Sequence, residues 1–201
     1  MTPEPHTFTL PALRSLGDLA DTPITLICDS REQCPLRFEH LPCVVRGLVT
    51  SDYSIVGFES EFGIERKSIE DVVACTMGEN RERFERELHR LRGFRFKRLV
   101  IIGSRGLIET QRYRSRISPK AVLATLAAFE VRWDIPIIFI ETPEAAALQI
   151  ERWAFLFVRE YCKRLNDLVR VSRDSALSSN NPNTNQHPKT NNKHIINECF
   201  I

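Results

Sequence analysis

Acidic side chains and a lysine stand where short apolar runs of the sequence begin or end. Asp29 follows one such run and Asp52 begins another. Glu65 and Lys67 close a third run and are two residues apart, which places them on the same face of a strand. Carboxylate oxygens are the ligands that Mg²⁺ prefers, and such a cation neutralises the charge of a phosphodiester during its hydrolysis. The pattern therefore predicts a metal site built from Asp29, Asp52 and Glu65.

Lys67 is the candidate for orienting the attacking water or stabilising charge on the phosphate. An unperturbed lysine has a pKa of about 10.4, so it acts as a free base only where burial or a metal lowers that value. We therefore assign Lys67 positioning and charge stabilisation first. Acids and a lysine at strand ends are also compatible with a structural or solvated role, and spacing alone does not decide between these interpretations.

Apolar periodicity predicts the elements that must position these residues. Ser68 followed by Asp71 has the form of a capping box, which marks the start of a helix. This helix is expected to break near residues 77–78 and to end with Gly93 as its C-cap. Residues 105–116 are predicted to form a basic loop. The predicted strands span 24–28, 43–49, 52–58, 62–67, 98–102 and 135–140, and later helices begin at Ser118 and Thr142, the last continuing to about Leu168.

Basic residues are concentrated between Arg81 and Arg116, although the formal net charge of the chain is only +2. Up to Leu88 the arginines alternate with glutamates, a pattern typical of a salt-bridged solvent face. Beyond Leu88 the acids stop, which favours a surface that contacts phosphates beside the metal site. The residues predicted to bind DNA are Arg81, Arg90, Arg95 and Arg98.

Four segments agree in order and spacing with a known nuclease signature. They are Asp29-Ser30-Arg31-Glu32, Ser51-Asp52-Tyr53, the run from Glu65-Arg66-Lys67 to Asp71, and Arg81-Glu82-Arg83-Phe84. Together they resemble the nuclease domain of the XPF family, whose signature is Gly-Asp, a gap, Glu-Arg-Lys and, three residues later, Asp. The likeness extends over residues 24–168, which is most of the chain.

The resemblance implies an α/β fold of the restriction-endonuclease-like class, with a central mixed sheet flanked by helices. It also implies an endonuclease that cuts DNA near junctions of duplex and single strand with Mg²⁺ or Mn²⁺. By the same resemblance Asp52 and Glu65 are metal ligands, Asp29 is a nearby carboxylate and Lys67 is the catalytic lysine. Supporting catalytic roles carry over to Arg31, Glu32 and Asp71, and Arg66 is expected to act through its backbone.

Ser51 departs from the family pattern, because it stands where the family usually has glycine. We expect the serine to adopt a turn with φ below zero, which it tolerates well. The effect on catalysis is therefore expected to be small.

The last predicted helix is apolar on more than one side. Trp153, Phe157 and Tyr161 form one line, and Phe155 and Val158, with Cys162, form another. Since an ordinary helix exposes its other face, we expect one line to contact the core and the other a partner subunit. A homodimer or a heterodimer through this helix is predicted, which agrees with the family, whose nuclease domains pair.

Three regions are predicted along the chain. Residues 1–22 form an N-terminal extension, 23–170 the nuclease domain, and 171–201 a disordered tail rich in Asn and Ser. The sequence shows no secretory signal, no apolar run long enough to span a membrane, and six dispersed cysteines expected to be free thiols. An intracellular protein without helix-hairpin-helix or helicase domains is expected.

Two other functions stay open beside the active endonuclease. A catalytically idle DNA-binding or scaffold subunit would keep the fold but lose the acids, whereas Asp29, Asp52 and Glu65 are all present here. A third possibility is cleavage of RNA, or of both nucleic acids, which nothing in the sequence excludes.

Overall fold

A six-stranded mixed sheet organises residues 24–179, the part of the chain that the computed structural model describes. The strands are β1 (Leu26–Asp29), β2 (Cys43–Arg46), β3 (Tyr53–Ile55), β4 (Phe62–Ser68), β5 (Phe96–Ile102) and β6 (Ile137–Ile140). Their order is β2-β1-β3-β4-β5-β6. Strand β3 is antiparallel to β1 and β4, and the remaining pairs are parallel. All six predicted strands are confirmed, with somewhat shorter spans for β2, β3 and β6.

Helices cover both faces of this sheet. They are α1 (Ile69–Ala74), α2 (Gly78–Leu91), α3 (Arg105–Glu109), α4 (Pro119–Trp133) and α5 (Pro143–Ser179). The predicted capping box is confirmed, because the Ser68 hydroxyl accepts the Asp71 N–H and the Asp71 carboxylate accepts in return. At the start of α4 the Ser118 hydroxyl accepts the Ala121 N–H, without a reciprocal bond.

Two details of the predicted helices are wrong. The segment predicted as a basic loop contains the short helix α3. Helix α2 ends at Arg92 in the right-handed conformation, and Gly93 is not among the glycines with positive φ. The predicted glycine C-cap is therefore absent, because the chain passes from α2 into β5 without the left-handed residue that such a cap requires.

The core consists of two layers, one on each face of the sheet. One layer joins β1, β3 and β4 to α5 and includes Tyr53, Phe62 and Phe155, all completely or almost completely buried. The other joins β4 and β5 to α1, α2 and α4 and includes Phe84 and Phe129. Since helices cover both faces, successive residues of β1 and β3 are buried, rather than alternate residues.

Helix α5 is longer than predicted. It continues past Leu168 to Ser179, so the first part of the predicted tail is helical, whereas 1–23 and 180–201 lie outside the described residues. A compact unit ends at Lys163, and the remainder of α5 belongs to a second unit. Within residues 24–179, no helix is both long and apolar enough to cross a membrane.

The two apolar lines of α5 both contact the core of the chain itself. Phe155 is completely buried, and Trp153, Phe157 and Val158 are partly buried against the same core layer. The line that contains Phe155 is therefore not a partner surface.

Helix α5 also carries Glu151, which is 1% exposed. Its carboxylate accepts the N–H groups of His40 (2.7 Å) and Leu41 (3.0 Å).

Candidate active site

Three neighbouring strands bring the predicted acids and lysine to one end of the sheet. Strand β1 ends at Asp29, β3 begins after Asp52, and β4 carries Glu65 and Lys67 near its end. Because β3 is antiparallel to both neighbours, its start lies beside their ends. The Asp29 N–H donates to the Asp52 carbonyl (2.8 Å), and the Asp52 N–H donates to that of Ile64 (2.9 Å). These side chains line one cleft of about 570 Å³.

Asp52 and Glu65 are two acidic side chains that are largely buried at the base of the cleft. Burial raises the pKa of Asp52 to about 6, against the attraction of the Lys67 ammonium. Burial and then the charge of Asp52 raise the pKa of Glu65 to about 8. The Asp52 Oδ2 accepts the Arg66 N–H at 2.7 Å, which fixes this carboxylate relative to β4. A pair of acids with raised pKa values is an arrangement that a bound cation would stabilise.

Lys67 lies between this acid pair and the apolar side of α2. Its Nζ is 2.5 Å from the Glu65 Oε1 and 5.2 Å from the centre of the Phe84 ring. Burial acts to lower the pKa of Lys67, but the carboxylates of Glu65 and Asp52 raise it above its ordinary value. The side chain is therefore a fixed ammonium at neutral pH, which suits charge stabilisation rather than general-base catalysis.

Asp29 lies at the edge of the cleft, where both of its carboxylate oxygens accept hydrogen bonds. Its Oδ1 accepts the N–H and Nε–H of Arg31, and its Oδ2 accepts the Arg31 Nη2 and the Leu48 N–H, all within 2.7–2.9 Å. The Arg31 hydrogen bonds lower the pKa of Asp29 to about 2. Four hydrogen bonds use the four lone-pair sites of a carboxylate. In this structure Asp29 therefore holds the loop before Asp52, and its role as a metal ligand stays a prediction.

The other predicted catalytic residues form the wall of the cleft. Glu32 makes a two-point ion pair with the Arg66 guanidinium (2.7 and 3.2 Å), and both side chains are largely buried. The Arg66 side chain is thus structural, while its N–H contacts Asp52. Arg31 is 71% exposed beside Asp29. Asp71 lines the cleft and caps α1.

A stripe of α2 forms the opposite wall of the cleft, and of its four residues the sequence had indicated Arg90 alone as a site residue. Asn80, Arg83, Glu87 and Arg90 line the cleft. The last three each precede a core residue of α2 by one position, since Phe84, Leu88 and Leu91 are buried. The helical phase of the core residues was thus the signal that could have identified this stripe.

The arginines predicted to form a single DNA-binding rim do not lie together. Arg90 lines the cleft, whereas Arg81 pairs with Glu85 and lies over the Phe129 ring of α4. Arg95 lies over Phe157 and Tyr161, and Arg98 over Phe96 and Trp153. Phe96 pairs with Phe62 at the start of β4, the end opposite to Lys67. The structure therefore does not bring Arg81, Arg95 and Arg98 to the cleft beside Arg90, and their contact with DNA stays a prediction.

Asp52 and Glu65 are the residues that fit a divalent cation. No group of three or more His, Cys, Asp or Glu in the described range 24–179 is arranged to hold a metal. Within that range, however, the Asp52 Oδ1 and the Glu65 Oε2 accept no hydrogen bond. Mg²⁺ is commonly held by one or two carboxylates and keeps several waters. Asp52 and Glu65 each offer one such carboxylate oxygen, and their raised pKa values indicate that a nearby cation would stabilise both groups.

Comparison with known proteins places the chain in context. The family model described as "ERCC4 domain" matches residues 26–152. A structure of XPF from Aeropyrum pernix is similar with a TM-score of 0.56 and 20% identity, covering 84% of this chain and 69% of that chain. XPF from the same organism in complex with DNA is similar with a TM-score of 0.55 and 22% identity, covering 68% and 66%. These likenesses confirm the predicted fold class. No curated protein sequence matches the chain.

Proposed function

Because the chain belongs to the ERCC4 domain family, that of the XPF nuclease domain, we propose that it is a metal-dependent DNA endonuclease. Its proposed substrates are branched or junction DNA, and a DNA substrate implies action inside the cell. One observation carries the proposal: Asp52, Glu65 and Lys67 occupy a single cleft, with two acids whose pKa values are raised. A DNA complex of the similar A. pernix XPF supports DNA as the substrate.

Five residues of the cleft have roles in the proposed reaction. Asp52 and Glu65 would hold Mg²⁺ or Mn²⁺, which supplies charge neutralisation at the phosphate and a more acidic water. Lys67 keeps its proton and stabilises the charge that develops on the phosphate. Arg83 and Arg90, which line the opposite wall, contact the phosphates that flank the cut.

The alternative is a catalytically idle DNA-binding or scaffold subunit. Such a subunit does not require desolvated acids, and two of them next to each other reduce stability when no cation is bound. The presence of Asp52 and Glu65 together therefore favours the active enzyme.

Cleavage of labelled substrates tests the proposed function. Flap, fork, duplex and single-stranded DNA, and RNA of the same sequence, are incubated with Mg²⁺, with Mn²⁺ and with chelator. Asp52→Asn is the inactive variant. Glu109→Gln is its matched control, because it removes one carboxylate from an exposed ion pair with Arg105 outside the cleft. Binding without metal-dependent cleavage of any substrate would favour the idle subunit, and cleavage of RNA alone would redefine the substrate.

A dimer is the second element of the proposal. Ile138, Ile140, Leu148 and Trp153 line a shallow concavity of about 460 Å³ between the edge strand β6 and α5. These side chains are partly exposed or exposed and apolar. We propose this face, rather than the line containing Phe155, as the contact with a second subunit, either an identical or a related chain.

A further inference from the structure

The turn that delivers Asp52 to the cleft contains an unfavourable backbone conformation. Ser51 has φ 73° and is 7% exposed. This is the left-handed region, in which a non-glycine residue costs of order 1 kcal/mol or more and persists only where its surroundings hold it. The expectation of φ below zero for Ser51 is therefore wrong. The surroundings of the turn must supply what keeps Asp52 in place.

Most contacts that hold this turn come from the sheet. The Leu48 N–H donates to Asp29, and Asp52 exchanges backbone hydrogen bonds with its neighbouring strands. These bonds fix the two ends of the turn but leave its centre, Thr50 and Ser51, without a partner strand. The Ser51 hydroxyl donates only to the nearby carbonyl of Tyr53.

The centre of the turn is held from the helical layer. The Arg90 Nε–H of α2 donates to the Thr50 Oγ1 at 3.1 Å, and Thr50 is 7% exposed. Arg90 has no carboxylate partner within ion-pair distance among residues 24–179. Among residues 24–179, the one side-chain hydrogen bond of Arg90 is the bond to Thr50, in the turn next to Asp52.

We propose that Arg90 is a positioning residue: its bond to Thr50 holds Ser51 in the left-handed conformation and thereby keeps Asp52 directed at Glu65. The consequence for catalysis rests on the proposed function, but the mechanical role does not. Without Arg90, Ser51 relaxes toward negative φ and Asp52 moves away from Glu65. A glycine at position 51 occupies the left-handed region freely, so it no longer needs the bond from Arg90.

This reasoning defines a rescue experiment. Arg90→Gln is compared with Ser51→Gly and with the double variant. Arg83→Gln is the matched control, because Arg83 lines the same cleft on the same helix but makes no hydrogen bond to the turn. Hydrogen exchange of the peptide covering residues 47–55 is measured by mass spectrometry in chelator, and Mn²⁺ affinity is measured by calorimetry without DNA.

We expect Arg90→Gln to speed exchange in residues 47–55 by about tenfold and to weaken Mn²⁺ binding by about tenfold, which is about 1.4 kcal/mol. Ser51→Gly in the same chain should restore both to within about threefold of wild type, and Arg83→Gln should change neither. If Arg90→Gln does not fold, Thr50→Val removes the acceptor instead and should have the same two effects.

Unchanged exchange in both Arg90→Gln and Thr50→Val, or a double variant no better than Arg90→Gln, would overturn the positioning role. If the wild type binds no Mn²⁺ and cleaves nothing, the proposed function fails. The exchange data in chelator then still decide whether Arg90 holds the turn.

Discussion

Replacing Asp52 with asparagine should stabilise the metal-free protein while it abolishes cleavage. Asparagine keeps the shape of the side chain and an oxygen that accepts the Arg66 N–H, but it removes the charge next to Glu65. Two desolvated acids in one cleft are unfavourable without a cation, so the wild type is less stable than its packing alone would make it. The variant isolates this cost, because little else in the cleft changes.

The size and the pH dependence of the effect follow from the raised pKa. Folding raises the pKa of Asp52 from 3.8 to about 6. An acid whose pKa is raised binds more protons folded than unfolded, so stability falls as pH rises through this interval. A tenfold change in a protonation equilibrium is worth about 1.4 kcal/mol, which gives about 3 kcal/mol above the folded pKa. Because burying the asparagine amide costs about 1 kcal/mol at either pH, we expect a gain of about 2 kcal/mol at about pH 8 and of less than about 1 kcal/mol near pH 5.

Urea unfolding followed by circular dichroism measures this difference, with both proteins in chelator at the two pH values. Mg²⁺ should then stabilise the wild type and not the variant, because only the wild type keeps both metal-binding carboxylates. A variant that is less stable than the wild type at about pH 8, or a difference independent of pH, would refute the reasoning that burial raises the pKa of Asp52.

Further predictions concern the cleft, Arg98 outside it, and the face formed by β6 and α5. Glu65→Gln should lower cleavage by at least about 10²-fold in the labelled-substrate assay, with DNA binding retained. Lys67→Ala should be nearly as damaging, and Lys67→Arg should not restore the rate, since a planar guanidinium does not replace a compact ammonium; full activity of Lys67→Arg would show that charge alone suffices. Arg83→Gln should flatten the salt dependence of DNA binding by about 0.9 in slope, whereas Arg98→Gln should leave it unchanged. Leu148→Asp should give a folded monomer in analytical ultracentrifugation if the β6 and α5 face joins two subunits, and a monomeric wild type would contradict the dimer.

The fold was predictable because its signals are local. Each strand of the sheet contains a short apolar run, and Ser68 and Ser118 are N-cap residues that mark the start of the helices after them. The order of acids and lysine along the chain also predicts that they meet at one end of the sheet. The short helix α3 was missed because its five residues carry no apolar periodicity.

The detailed roles were not predictable because they depend on partners distant in sequence. Asp29 has the residue type of a metal ligand, but its oxygens are occupied by Arg31 and Leu48. Arg95 and Arg98 belong to a basic stretch, yet α5 supplies aromatic rings on which they lie. A backbone angle such as that of Ser51 is likewise set by the surrounding turn rather than by the residue type.

Glu151 limits how far this protein can be shortened for engineering. Its buried carboxylate accepts two backbone N–H groups of the loop that leads from Glu32 toward β2. A chain that ended before Glu151 would leave the buried Leu41 amide and the partly buried His40 amide without this acceptor. An unpaired buried N–H costs about 1–3 kcal/mol. Glu32 lies on the same loop and pairs with Arg66, whose N–H donates to Asp52. A loosened loop would therefore also weaken the contacts that position Asp52 in the cleft. A minimal fragment must therefore retain α5 through Glu151, one residue short of the end of the family match at 152.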